Sequence, residues 1–371
     1  MVNAMKIEDQ LARLPTPAMT IDASRVRRNV QKLAEYAAKV GVKIRPHTKT
    51  HKLRSLAQMQ LDAGAIGLTV AKGSEAEVLS DPGQDVLLAY PPVGEQRAER
   101  FAALARDRMM RAGIDSLKAI EVVSAAAQAA GTTVGLLVDL DVGLGRTGVQ
   151  SPEATLPLAQ AIDRAPNVRL DGIMIYPGQI WSLPGSQAEE LKVIDDLVGE
   201  AIALWAKHGL SAPIVSGGST PTAYQSHLIT RQTEIRPGTY VFNDMNTVRG
   251  GYCTLDECAA RVLATVVSDA VAGQVVIDAG SKTLAADRCA SVPDAGFGHV
   301  IEYPEAKITK LSEEHGQIDI TACNKKPAVG ERVTVIPNHI CPCVNLRDTV
   351  WWLEPGESLR QLAVDARGRI Q

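Results

Sequence analysis

A (β/α)8 barrel joined to a separate β-domain is the fold class the sequence predicts, on three observations. Between residues 18 and 245, short apolar runs alternate with amphipathic stretches of helical period. About eight such units fit that length, the size of a closed parallel barrel with right-handed crossovers. Beyond residue 245 the helical period fades, and short β-rich runs follow one another between turn residues. A doubly wound open sheet is the competing architecture, but no Gly-x-Gly-x-x-Gly follows the first strand.

In chain order, Ala18–Ile21 reads as a strand, and Asp22–Ser24 offers caps to a helix running from Val26 to Val40. Lys43–Arg45 ends a second strand, Leu53–Ala63 is a helix, Gly67–Val70 a strand and Ser74–Leu79 a helix. Asp85–Tyr90, Val134–Asp139, Gly172–Tyr176 and Pro213–Ser216 repeat the strand theme, and Glu189–His208 the helical one. In the second domain the strands are Ala259–Ser268, Gln274–Ile277, His299–Tyr303, Gln317–Ile320, Arg332–Ile336 and Val350–Leu353. The expected division is therefore 18–245 for the barrel and 246–371, with residues 1–17, for the β-domain.

Composition excludes several function classes. With 45% hydrophobic and 22% charged residues the chain is expected to be a soluble globular protein. A net charge of −3 argues against nucleic acid or an anionic membrane surface as partner. No apolar run is long enough to span a membrane, and Met1–Gln10 has no signal-peptide core. Six cysteines over 371 residues do not form a disulfide framework, so a reducing, cytoplasmic location is expected.

In a parallel barrel, chemistry gathers at the C-terminal ends of the strands. One such end carries Arg45-Pro46-His47-Thr48-Lys49-Thr50-His51-Lys52. A lysine crowded by cations and partly removed from water has its ammonium form disfavoured, which suits Lys49 to Schiff-base chemistry. A solvated basic loop is the commoner use of such a run, so Lys49 needs the support of the other strand ends. Asp139-Leu140-Asp141-Val142-Gly143-Leu144-Gly145-Arg146 places Arg146 in a glycine-rich loop, and Tyr176-Pro177-Gly178 ends another strand. Gly217-Gly218-Ser219-Thr220 offers backbone N–H groups and two hydroxyls as a phosphate cradle, or else a plain turn. Pro237-Gly238-Thr239-Tyr240 supplies a second small-residue loop, where barrels commonly bind phosphate. In the β-domain, Pro337-Asn338-His339-Ile340-Cys341 sets an imidazole and a thiol two residues apart, on one face if the segment is extended. His339 and Cys341 would then be ligands for a divalent metal. Cys343, His208, His227 and His299 read as structural, and Ser312–Gly316 as a polar turn.

Together these segments resemble the D-threonine aldolase and D-serine dehydratase family of fold-type III pyridoxal-phosphate enzymes. The likeness extends over nearly the whole chain. Its carriers are Thr16-Pro17, Ile21-Asp22, Arg45-Pro46-His47-Thr48-Lys49, Gly143–Val149, Gly217–Pro221, Arg236–Tyr240, Asp278-Ala279-Gly280, Glu314-His315-Gly316 and Pro337–Cys341. The resemblance implies an alanine-racemase-like barrel, a D-3-hydroxy amino acid substrate and a homodimer. It assigns Lys49 to the Schiff base with pyridoxal 5'-phosphate and Arg146 to the cofactor's phenolic oxygen. Tyr176 would line the ring and, with Pro177 in place of the family's histidine, it or a metal-bound hydroxide would serve as general base; Gly218, Ser219, Thr220, Gly238, Thr239 and Tyr240 would surround the phosphate. His339 and Cys341 would hold the divalent metal, zinc, manganese or magnesium. Cleavage of Cα–Cβ would give glycine and an aldehyde; loss of the Cα proton and the β-hydroxyl would give a 2-oxo acid and ammonia. The His339/Cys341 pair, the Gly217–Thr222 loop and Val241-Phe242 look more like the dehydratases, and Pro177 stands where many aldolases of the family carry histidine; Cys341-Pro342 through Asn345-Leu346 and Asp348, Asp278–Lys282 and Ala366-Arg367-Gly368 look more like the aldolases, and the aldolase is the expectation. A racemase and a non-catalytic pyridoxal-phosphate carrier are the remaining alternatives.

Overall fold

The computed structural model describes residues 7–371, so part of the N-terminal segment assigned to the β-domain lies outside the described residues. By its internal contacts the chain forms two units, one of residues up to 31 with Thr239–Arg367, the other Lys32–Gly238 with Gly368–Gln371. The first strand, β1 (Ala18–Asp22), belongs to the β-rich unit. The barrel is built from β2 (Lys43–Ile44), β3 (Leu68–Val70), β4 (Asp85–Leu88), β5 (Met109–Ile114), β6 (Val134–Asp139), β7 (Val168–Met174), β8 (Ile214–Gly217) and β9 (Glu234–Ile235).

All eight barrel strands are parallel, in the order β2-β9-β8-β7-β6-β5-β4-β3. The ring closes between its two ends. Ile66 N–H donates to the Ile44 carbonyl and Thr69 N–H to the Pro46 carbonyl, both at 2.9 Å. Helices return the chain between strands, with local signals that fix their ends. Ser116 caps Leu117–Ala130 by accepting the Ala119 N–H, and Gly131, at φ 67°, ends it in the left-handed conformation. Ser151 caps Pro152–Arg164, whose Thr155 hydroxyl accepts from the buried Trp205 indole of the helix Ala188–Lys207 at 2.8 Å.

The interior of this barrel carries an ionic network as well as aliphatic side chains. Arg45 donates from Nε and Nη2 to both oxygens of Glu234 on β9, at 2.9 and 3.0 Å, and from Nη1 to Asp85 on β4 at 2.6 Å. Asp85 also pairs with Arg111 on β5, and Arg111 Nε lies 2.8 Å from Asp171 on β7. Two of these pairs, Arg45–Asp85 and Arg111–Asp171, join strands that are not neighbours, so the network crosses the inside of the ring. Glycines make the room. A Cβ at Gly135 would stand 1.9 Å from Asp171 Oδ2, and one at Gly67 would stand 2.5 Å from Arg45 Nη1.

In the β-rich unit, β1 pairs antiparallel with β10 (Ala260–Ser268). Further along the chain come β11 (Gln274–Ile277), β12 (His299–Val300), β13 (Lys307–Leu311), β14 (Gly316–Asp319), β15 (Arg332–Ile336), β16 (Thr349–Leu353) and β17 (Arg360–Ala363). Their order is β13-β14-β11-β10-β1-β16-β17, with β15 joining β10 and β12 joining β15. Buried and partly exposed residues alternate along β10, as a strand with one face on the core requires. Among the described residues no helix is long and apolar enough to cross a membrane, and all six cysteines are free thiols.

Candidate active site

The turn bearing Lys49 is pinned on both sides. Thr48–Thr50 forms a single 3-10 turn after His47, whose Nδ1 accepts the Lys49 N–H at 3.4 Å. Thr48 Oγ1 donates to the Thr69 carbonyl at 3.0 Å, and Thr48, Thr50 and His51 are fully buried. Lys52, with φ 55°, turns its ammonium inward to Glu75 Oε1 at 3.2 Å. Lys49 itself is left half-buried on the wall of a cavity.

His51 is the acid-sensitive part of this turn. Its Nδ1 accepts the Leu53 N–H at 3.1 Å, so Nε2–H donates to Gln60 Oε1 at 3.2 Å and the ring is neutral. Burial pulls its pKa from 6.5 to about 4. Because the folded value lies below the unfolded one, its stabilising effect is complete above pH 6.5 and lost as pH falls through 4. The loss is on the order of 3 kcal/mol. His51→Asn, which keeps an acceptor for Leu53, should therefore lose less stability than the parent between pH 7 and pH 4.5 in denaturant titrations. Equal losses would show that another group sets the acid limit.

The cavity measures about 320 Å3 and is lined by Lys49, Arg146, Tyr176 and Gly218, together with His47, Asp139, Thr147 and Arg236. Each wall is held from behind. In the loop after β6, Asp141 Oδ1 accepts the N–H groups of Gly143, Leu144 and Gly145 at 3.0–3.2 Å. Gln179 Nε2 donates to the Val142 carbonyl at 2.6 Å, and Thr147 Oγ1 donates to Asp139 Oδ2 at 2.9 Å. Arg146 stacks its guanidinium 4.8 Å from the Tyr176 ring centroid. Arg236 is buried and donates to Ser216 Oγ at 2.7 Å and the Ile175 carbonyl at 2.8 Å.

Protonation follows from these surroundings. Burial pulls Arg236 down to about 10 against the opposing pull of Glu234 and Asp139. Burial pushes Asp139 up to about 6, although Thr147 and Arg236 favour its charge. Desolvation, then the charges of Lys49, Arg236 and Arg146, drive His47 well below its ordinary value and keep it neutral. Asp139 and Arg236 stand in quoted motifs but were not singled out; each lies at or just beyond the C-terminal end of a barrel strand, the position that marks them.

The small-residue loops differ from expectation in detail. Gly218, at φ 78°, lines the cavity, and an added Cβ would meet Ile235 at 3.1 Å. Ser219 turns back onto its own loop, its N–H donating to Thr222 Oγ1 and its hydroxyl sharing a hydrogen bond with it, each at 3.1 Å. Neither Ser219 nor Thr220 is part of the cavity wall. Gly238 packs against the lysine turn, where a Cβ would meet Thr50 Oγ1 at 2.8 Å and the His47 carbonyl at 3.0 Å. Thr239 and the buried Tyr240 follow directly but count with the β-rich unit.

His339 and Cys341 lie on a helix N-terminus and not on an extended strand. His339 caps the short helix Ile340–Asn345, whose first N–H is taken by Asp244 Oδ2 at 3.1 Å. Pro342 sits in the first turn, where its missing N–H costs no helical bond. His339 Nδ1 lies 2.9 Å from Asp287 Oδ1. Burial lowers the imidazole pKa, but its hydrogen bond to Cys341 and the nearby Asp244 and Asp287 raise it to about 10. Cys341 Sγ is 3.8 Å from Thr239 Oγ1, and Cys343 is fully buried with its thiol on the His339 carbonyl. Among the described residues no group of three or more histidine, cysteine or acidic side chains converges as a metal site. The turn Glu313–His315 is exposed and covers the Gly280–Lys282 backbone.

Comparison with known proteins agrees with this arrangement. Residues 21–246 match the family profile "Alanine racemase, N-terminal domain", and residues 259–352 match a serine dehydratase domain. A D-threonine aldolase of Arthrobacter sp. is 30% identical, over 97% of this chain and 94% of its own. A D-threo-3-hydroxyaspartate dehydratase of Delftia sp. (strain HT23) is also 30% identical, over 90% of this chain and 93% of its own. The crystal structure of D-threonine aldolase from Filomicrobium marinum superposes with a TM-score of 0.89 at 29% identity, covering 97% of this chain and 98% of that one. With both domains matched in order and the structural likeness spanning nearly the whole chain, the protein belongs to the D-threonine aldolase and D-serine dehydratase family of pyridoxal-phosphate-dependent lyases, built on the alanine-racemase-like barrel.

Proposed function

We propose that this protein cleaves D-3-hydroxy amino acids to glycine and an aldehyde, using pyridoxal 5'-phosphate on Lys49 and a divalent metal on His339 and Cys341. The observation that carries the reading is the cavity of about 320 Å3 in which a half-buried lysine faces two guanidinium groups and a tyrosine ring. That volume and lining suit a small aromatic cofactor bearing a phenolate and a phosphate. The close packing at Gly218 and Gly238 excludes a side chain, and small-residue loops of this kind suit an anion through their backbone N–H groups. The metal pair fits as well: with Nδ1 directed at Asp287, His339 has Nε2 left as a ligand, and the N,S donor set suits zinc. The other coordination positions belong to water and substrate.

Bound pyridoxal phosphate supplies an electron sink for the carbanion left at Cα when one of its bonds breaks. The metal supplies Lewis acidity toward the substrate's β-hydroxyl. Lys49 Nζ is the amine that carries the cofactor and, once the substrate amine replaces it, a group that can hold a proton beside Cα. Arg146, stacked on Tyr176, presents its positive charge to the phenolic oxygen. Neutral His47 and buried Arg236 keep the cofactor pocket fixed without adding a mobile proton at Cα. Gly218 on the cavity wall, the Ser219-Thr220 turn that continues from it and the Gly238-Thr239-Tyr240 segment would receive the phosphate. The reading includes a cytoplasmic homodimer, which six free thiols and the lack of a spanning helix among the described residues suit.

Elimination is the second reading, favoured by Cys341 beside His339 and by the Gly217–Thr222 loop. Product analysis of the cofactor- and metal-loaded protein with D-threonine and D-threo-3-hydroxyaspartate separates the two. Glycine with acetaldehyde or glyoxylate is expected; a 2-oxo acid with ammonia would make the protein a dehydratase. Chelation, His339→Ala and Cys341→Ala should each cut turnover by at least about 100-fold while the cofactor's visible absorbance remains. Full activity in chelator would remove the metal from the mechanism.

A further inference from the structure

One cation on the cavity wall has no task in this scheme. Lys72 immediately precedes the helix Gly73–Leu79 and lines the cavity that holds Lys49. Its backbone is held from behind: the buried Glu75 accepts the N–H groups of Ala71 and Lys72 at 2.7 and 3.2 Å, and Lys52 neutralises that carboxylate. Its ammonium rests 3.7 Å from the centroid of the Tyr90 ring. Among the described residues no carboxylate forms an ion pair with it. Lys72 and Tyr90 also line a second, water-sized space of about 20 Å3, whose wall continues to Arg97 and Arg100. Three cations thus line this second space, and of these Arg100 is already paired, to Glu77 at 3.0 Å.

We propose that Lys72, braced by Tyr90 and followed by Arg97, is the subsite for a second carboxylate at the far end of the substrate side chain, so that the preferred substrate is an acidic 3-hydroxy amino acid. The inference rests on the lyase reading for the position of the reacting carbon. The α-carboxylate is one bond from Cα and must stay beside Lys49. A distal carboxylate has the reach to leave that region and meet the second ammonium that lines the same cavity. Tyr90 lowers the water exposure of the ammonium and adds a cation–π attraction, so the charge is presented already oriented. The methyl group of D-threonine offers Lys72 no charge to meet.

Kinetics and equilibrium binding test the idea together. Lys72→Met, which keeps the stem and removes the charge, should lower kcat/KM for D-threo-3-hydroxyaspartate by about 10- to 100-fold, chiefly through KM. D-Threonine turnover should be unchanged. Equal losses on both substrates would place Lys72 on the α-carboxylate or the cofactor and overturn the proposal, as would no loss on either. Calorimetric titration of succinate into the holoenzyme, with butyrate as control, reads the same subsite without chemistry. Succinate should bind more tightly than butyrate, and Lys72→Met should abolish the difference. If neither hydroxy amino acid is turned over but that difference is present and lost in the variant, the lyase reading fails and the subsite stands. If turnover proceeds and succinate binds no better than butyrate, the subsite fails alone.

Discussion

Lys49→Ala should be inactive and colourless. The variant loses both the amine that carries the cofactor and the group that holds a proton beside Cα, so turnover should fall by well over the roughly 10²–10⁴-fold that one proton-transfer group contributes. The visible absorbance of the lysine-bound cofactor should vanish with it. Folding should be preserved. The turn is held by Thr48 on the Thr69 carbonyl, His47 on the Lys49 N–H and Lys52 on Glu75, and none of these contacts uses the Lys49 side chain. Lys49→Arg separates charge from chemistry, because a guanidinium keeps the positive charge but forms no imine; it should be as inactive as the alanine variant. Retention of the cofactor's absorbance in Lys49→Ala would move the attachment point elsewhere.

Arg45→Met should be the most destabilising single change in the barrel. Arg45 is 1% exposed and satisfies both oxygens of Glu234 as well as Asp85. Burial opposes the charge of Glu234, yet Arg45 holds the carboxyl below its usual range. Without the guanidinium, Glu234 must stay charged and unpaired or take up a proton, a cost of about 3–5 kcal/mol. Denaturant unfolding at neutral pH reads it directly. The double variant Arg45→Met/Glu234→Gln should recover part of the loss, because the orphaned charge is gone. Equal stability of the single and double variants would show that lost packing, and not the buried charge, sets the cost.

The legibility of the chain follows physical lines. Strands rich in Val, Ile and Leu with clear boundaries, such as Val134–Asp139 and Arg332–Ile336, were read to the residue. Met109–Ile114 was not, because its run Met-Met-Arg-Ala-Gly-Ile carries the charge and glycine that the ionic interior demands, and those look like breaks. Glu234–Ile235 is two residues long and too short for any period to register. The strand Ala18–Asp22 is buried on both faces, and no local pattern says which sheet will take it. At the site, Lys49, Arg146, Tyr176 and Gly218 were legible because each ends or follows a strand beside glycine or proline. The hydrogen bond that Ser219 shares with Thr222 Oγ1 is not legible, because it depends on the turn's dihedral angles. The extended reading of His339–Cys341 failed for a related reason: the Asp244 carboxylate that starts the helix is about a hundred residues away in sequence. Lys72 was passed over because its partner Tyr90 comes from the next strand end.

The ionic crossing of the barrel also bears on how such a chain can diverge. Aliphatic layers drift one residue at a time, since a methylene lost on one strand can be regained on its neighbour. Arg45, Glu234, Asp85, Arg111 and Asp171 have no such freedom: each satisfies two strands at once, and a change in one leaves a charge stranded in another. Homologues should therefore vary at these positions in concert, with small residues kept at 67 and 135 wherever the charges persist. Those correlated positions mark the ring's closure in sequence more durably than its hydrophobic pattern does.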